Sequence, residues 1–153
     1  MKRTFYILAL TVVLLGAMLY FMPKSFDKFA IHFSQDAKIT VYCTETSLQA
    51  INVGNGFLVE CERETFAETF AKCDNVQGIS VKFEGNTEDS WNVVRRLNLN
   101  ITSRQRFDNL VVLCGKSNKI AGGVSLNGNL VNVQIAFDGK NVTVGSPLIL
   151  DSY

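Results

Sequence analysis

The chain has 153 residues, 15 of them basic and 14 acidic, for a net charge of +1 with a single histidine. Such a balance implies no nucleic-acid or other polyanion partner held by net charge. The part after the first two dozen residues has the size of one domain, and no Pro-rich, Ser-rich or low-complexity stretch marks a second.

The first element is an uncharged apolar run, FYILALTVVLLGAMLYFM, at residues 5–22, behind Lys2 and Arg3. At ~1.5 Å rise per residue, a helix of this length approaches the ~30 Å hydrocarbon thickness of a bilayer. Tyr6 and Tyr20 fall near its ends, where amphipathic rings favour the interface, and the leading positive charges place the N-terminus in the cytoplasm. The run is longer than the ~7 to 15 apolar residues of a secretory signal, and it continues into bulky Leu19, Tyr20, Phe21 and Met22. It therefore reads as an uncleaved signal anchor. Cleavage would instead release a secreted domain, and the head is exported in both cases. The expected organisation is a cytoplasmic N-terminus at 1–4, a transmembrane helix at 5–22, a juxtamembrane linker at 23–29 and an extracytoplasmic α+β domain at 30–153.

Within the head, KITVYC (38–43), LQAINV (48–53) and FLVEC (57–61) read as three strands of a meander, the last two closed through Gly54-Asn55-Gly56. Residues 62–73 switch to helical spacing at Phe66, Phe70 and Cys73, with acids early and Lys72 late. GISVKFEG (78–85) alternates as a strand with one buried face. Asn86 or Thr87 then caps a helix to about Leu97, with Trp91, Val94 and Leu97 on one side. A loop follows. NLVVLC (109–114), LVNVQIAF (130–137) and NVTVGSPLIL (141–150) are the closing strands, with turns at Asn127-Gly128 and Asp138-Gly139. The sum is an α+β fold, one antiparallel sheet with two helices on its apolar face. ITVYC before a Gly-Asn-Gly turn and FLVEC is echoed by LVVLC before Asn-Gly and LVNV, either as a structural repeat or as two hairpins obeying the same turn chemistry.

Cys43, Cys61, Cys73 and Cys114 all follow the anchor, in a compartment where disulfides persist. Two bridges or four buried free thiols both fit. A Cys61–Cys73 bridge is disfavoured, because the two would sit at opposite ends of a helix and bridged Cα atoms lie within ~7 Å. There is no C-x-x-C or H-x-x-x-H spacing, so no metal site is expected. No cofactor motif is present either, since Gly54 to Gly56 lacks the Lys and Thr of a phosphate loop. His32, between Ile31 and Phe33, is the one imidazole base, and Glu60, Glu62, Glu64 and Glu68 fall on solvated faces. Arg95, Arg96, Arg104 and Arg106 group around the second helix and the loop after it; guanidinium forks suit an anionic polymer or lipid head group, while the simpler reading is dipole-complementing surface charge. Asn100-Ile101-Thr102 and Asn141-Val142-Thr143 are glycosylation sequons in a eukaryotic secretory context.

These features point to a single-pass membrane protein displaying a binding or interaction domain of an envelope assembly, with a protein or envelope polymer as partner. Recognition would run through a sheet edge or the Arg95 to Arg106 region. The alternative is an envelope enzyme using a cysteine nucleophile or paired carboxylates.

Overall fold

Period-2 alternation of Val, Ile and Leu with polar residues drives much of the head into strands. In a computed structural model, which describes Phe29, Phe33 and residues 36–150, the elements are β1 (Lys38–Cys43), β2 (Glu45–Thr46), β3 (Ile51–Asn52), β4 (Phe57–Glu62), a 3-10 turn (Arg63–Thr65), α1 (Phe66–Ala71), β5 (Cys73–Asp74), β6 (Gly78–Glu84), α2 (Thr87–Leu97), β7 (Leu99–Phe107), β8 (Leu110–Ser117), β9 (Val124–Leu126), β10 (Asn129–Val131), β11 (Val133–Phe137) and β12 (Asn141–Ser146). Eight strands form one sheet in the order β3-β4-β1-β6-β12-β11-β8-β7, while β2 pairs with β5 and β9 with β10 as small ribbons. Every pairing is antiparallel. The fold is α+β, as expected. The apolar run at 5–22 lies outside the described residues, and among those described no helix is long and apolar enough to cross a membrane.

Residues opposite one another across a ladder share a face. The registers thus collect Ile39, Val41, Ile79, Val81, Val142, Val144 and Ile135 on one side, each at most 1 % exposed. Burying such a side chain stabilises the fold by roughly 1.5 to 3 kcal/mol. Phe66 from α1, and Val93 and Leu97 from α2, join the same cluster. Phe33 packs there too, its ring 5.7 Å from that of Phe83, and Phe29, the last position of the expected linker, is only 2 % exposed.

The opposite face carries Thr40, Glu60, Lys82 and Thr143 around its middle. Beside them the chain after β12 folds back over the sheet: Leu150 N donates to Ser80 Oγ at 2.7 Å and Ile149 N to Gln134 Oε1 at 3.0 Å. Gly145 makes this crossing feasible, because a Cβ there would lie 2.3 Å from the Leu148 carbonyl carbon. The strand β12 occupies the middle of the sheet. Val144 faces Val81 of β6 on one side and Ile135 of β11 on the other, so β12 joins the β3-β4-β1-β6 half to the β11-β8-β7 half.

Several expectations are corrected. The first three strands are no meander, since β3 lies outside β4 at the sheet edge and β1 sits between β4 and β6. Of the strand expected at 48–53, only Ile51–Asn52 forms, because this edge position leaves Ile51 without a core to face and it is 59 % exposed. The helix at 62–73 is a 3-10 turn plus six residues of α1, and Cys73 already belongs to β5. α2 buries Ser90, Val93 and Leu97, a face rotated from the expected one, so Trp91 is left half-buried at its margin. The expected loop after α2 is the nine-residue strand β7. The echo recurs as an antiparallel pair in each half, β1 with β4 and β8 with β11. Its cysteines differ, however: Cys43 points into the core face, whereas Cys114, opposite Gln134, points away from it.

Candidate functional site

α2 begins at a well-made cap. Asn86 Oδ1 accepts from Glu88 N at 2.8 Å and Asp89 N at 3.2 Å, while Asp89 Oδ2 accepts from Asn86 N at 2.8 Å. Asn98 ends the helix in the left-handed region (φ 48°), and one residue later β7 runs back along the helix toward its start. A β-bulge between Ile101 and Ser103 then sets the register that places Arg104 opposite Leu113 and Arg106 opposite Val111. Both arginines consequently stand on the helix-covered face, beside the first turns of α2.

Between these elements lies a groove of about 610 Å³. Its floor is Leu113, Ile135, Val111 and Phe137; Trp91, Ser90 and Thr87 form the helix wall. Arg104 and Arg106 form the other wall, and the Asp138-Gly139-Lys140 turn closes one end. Among the described residues, neither the Arg104 guanidinium nor the Lys140 ammonium has a hydrogen-bond or ion-pair partner, and Arg106 only donates from Nε to the Asp108 carbonyl at 3.4 Å. The one carboxylate in the lining, Asp138, is turned to its own backbone: it accepts from Asn141 N at 2.7 Å, Lys140 N at 2.9 Å and Asn141 Nδ2 at 3.1 Å. These bonds hold its pKa down to about 2, with a smaller contribution from nearby Lys82. The groove therefore offers three cationic groups above an apolar floor, against one carboxylate whose oxygens are already engaged. The Ser90 hydroxyl is likewise engaged, donating to the Thr87 carbonyl at 2.7 Å.

The four arginines do not form one cluster. Arg95 bonds Glu88 at 2.5 Å and Asn92 at 2.6 Å on the exposed side of α2, and Arg96 lies at the far end of that helix, where its carbonyl accepts from Lys119 Nζ at 2.7 Å. Only Arg104 and Arg106 reach the groove, because antiparallel return carries β7 to the opposite end of α2. Sequence reasoning missed Trp91 and Lys140 as their companions. Lys140 beside the Asp138-Gly139 turn was the available signal, since a turn of that type fixes which end of the sheet it occupies.

All four cysteines are unbridged. Cys43 and Cys73 are buried in the same core cluster, where Cys43 Sγ donates to Phe57 O and Cys73 Sγ to Thr46 Oγ1, each at 3.9 Å. Cys61 lies on β4, where burial pushes its thiol up against a hydrogen bond from Thr69 that lowers it. Cys114 accepts from Gln134 Nε2 at 3.7 Å on the other face of the sheet. His32 lies outside the described residues. Glu60, Glu62 and Glu64 are exposed, and Glu68 is paired with Lys72 at 2.6 Å, its pKa lowered by that bond. Among the described residues no group of three or more His, Cys, Asp or Glu side chains could hold a metal ion. Searches against family models, curated proteins and solved structures return no match for this chain.

Proposed function

We propose that this chain is a membrane-anchored, extracytoplasmic binding domain that takes an anionic ligand with an apolar segment into the groove between α2 and β7, β8 and β11. The observation that carries the reading is the pair of inward-facing arginines with Lys140, two of the three without a partner, above Leu113, Ile135 and Phe137. A phosphate or carboxylate would sit among the guanidinium and ammonium donors, and the apolar part against the floor and the Trp91 ring. Holding charge over an apolar surface needs no covalent step. The run at 5–22 supports placing this groove at the outer surface of a membrane, close to amphiphiles of that description.

Trp91 is the chain's single tryptophan, so its emission reports occupancy directly. The full chain in non-ionic detergent micelles is titrated with hexyl phosphate, with hexanol as the uncharged control. A saturable change with hexyl phosphate and none with hexanol is expected. Equal responses to both, or no saturation, would remove the reading.

A further inference from the structure

Cysteine placement in this fold sorts the four thiols unequally. Cys114 is on β8, five strand spacings from Cys61 on β4, and at ~4.8 Å each that is roughly 24 Å, on the opposite face as well. From Cys43 on β1 it is four spacings, roughly 19 Å by the same measure. Bridged Cα atoms lie within ~7 Å, so Cys114 is out of reach of both. Cys43 and Cys61 share a face, yet Cys61 pairs with Ile39 while Cys43 pairs with Phe57, at the other end of the same ladder. Cys43 and Cys73 are different. The backbone leaving Cys43 is fastened to the β5 backbone by Thr44 N donating to Asp74 O at 3.1 Å, and Thr46 pairs with Cys73 in the β2–β5 ribbon. The two side chains are buried in the same core cluster, at 0 % and 8 % exposure, Cys43 Sγ donating to Phe57 O and Cys73 Sγ to Thr46 Oγ1, each at 3.9 Å.

We propose that Cys43 and Cys73 are a disulfide pair, oxidised by thiol–disulfide exchange with a disulfide-bearing oxidant, and that this bond ties the β2–β5 ribbon and the end of α1 to the central sheet. Cys73 is the entry point because it retains the greater exposure. Its thiolate attacks one sulfur of the oxidant, RSSR, forming a mixed disulfide and expelling RS−. Cys43 Sγ then attacks Cys73 Sγ and expels the second RS−. Each cysteine proton passes to one leaving thiolate. The two cysteines thus lose two protons and two electrons, and RSSR becomes two RSH. Cys61 and Cys114 remain thiols. This inference is independent of the groove and would survive its failure.

The test uses the full chain in non-ionic micelles, incubated with oxidised glutathione, then denatured, alkylated and mapped by mass spectrometry without reduction. Two alkylated cysteines, Cys61 and Cys114, and one cross-linked peptide pair joining Cys43 to Cys73 are expected, with a higher thermal midpoint for the oxidised protein than for the reduced one. Cys43→Ala should retain glutathione on Cys73, whereas Cys73→Ala should leave Cys43 unmodified. Four alkylated cysteines, or a cross-link involving Cys61 or Cys114, would overturn the assignment; the wild-type map decides this even if a variant folds poorly.

Discussion

Asn132 grips the peptide of Ser117 from both sides, accepting from Ser117 N at 2.7 Å through Oδ1 and donating to Ser117 O at 2.8 Å through Nδ2. The same Nδ2 also donates to Ile120 O at 2.6 Å, and the Ser117 hydroxyl donates onward to Leu97 O at the end of α2. One side chain, 1 % exposed, thus stands in for a missing strand partner and fixes helix to sheet. Replacing it with Ala strands three backbone groups, each costing ~1 to 3 kcal/mol when unpaired. We expect Asn132→Ala to lose about 3 to 5 kcal/mol in urea unfolding followed by Trp91 emission, and Asn129→Ala, at an exposed position of β10, to change stability by no more than ~0.5 kcal/mol.

Separation of the arginines into two groups predicts unequal roles. Arg104→Ala or Arg106→Ala should weaken hexyl phosphate binding about tenfold, as loss of a charge-assisted hydrogen bond of ~1.5 kcal/mol or more would do. Arg95→Ala should leave binding unchanged, because its guanidinium is committed to Glu88 and Asn92. Binding to the wild type should also weaken with added salt. Isothermal titration across the three variants and two salt concentrations checks all of this.

Acid should loosen the turn that closes the groove. Asp138 titrates near 4 in an unfolded chain and at about 2 when folded. A depressed folded pKa contributes stability that is fully present above the unfolded value and is lost as the pH falls from about 4 through about 2. Asp138→Asn keeps an acceptor oxygen but has no proton to gain, so its stability should fall less steeply across that window. Thermal midpoints at pH 5, 3.5 and 2.5 measure the difference.

The reduced thiols should be slow nucleophiles. Burial is the largest cause raising Cys61, Cys114 and Cys43, the last to about 12, where the neighbouring Cys73 thiol adds to the effect. Since the thiolate is the reacting species, alkylation of these three at pH 8 should be slow in the native protein and accelerate strongly in denaturant. Rapid native labelling of Cys61 or Cys114 would contradict the burial argument.

Strands with an apolar face were legible from alternation alone, as β6 shows: Ile79, Val81 and Phe83 recur at period 2 because that face meets the core. The β11–β12 and β9–β10 turns were legible from Asp138-Gly139 and Asn127-Gly128, the latter with both residues at positive φ (50° and 81°). β7 was not. Its positions beyond the bulge that face the helix side carry Arg104 and Arg106 because they line an open groove, so the usual alternation is absent where the site lies. The Asn132 network was equally silent, since nothing local distinguishes a buried asparagine from a turn residue. Pairing order was hidden as well, because β1 pairs with β4 and β6 rather than with its nearest predicted neighbour, and only long-range register decides that.

Placing β12 at the centre of the sheet has a consequence for biogenesis. The segments before it can collapse into two partial sheets as they emerge, but each would present a raw hydrogen-bonding edge on β6 and β11 until the closing strand arrives. During vectorial synthesis the keystone follows every other strand of the sheet, and the half-built intermediates are the species in which a holding chaperone would find work.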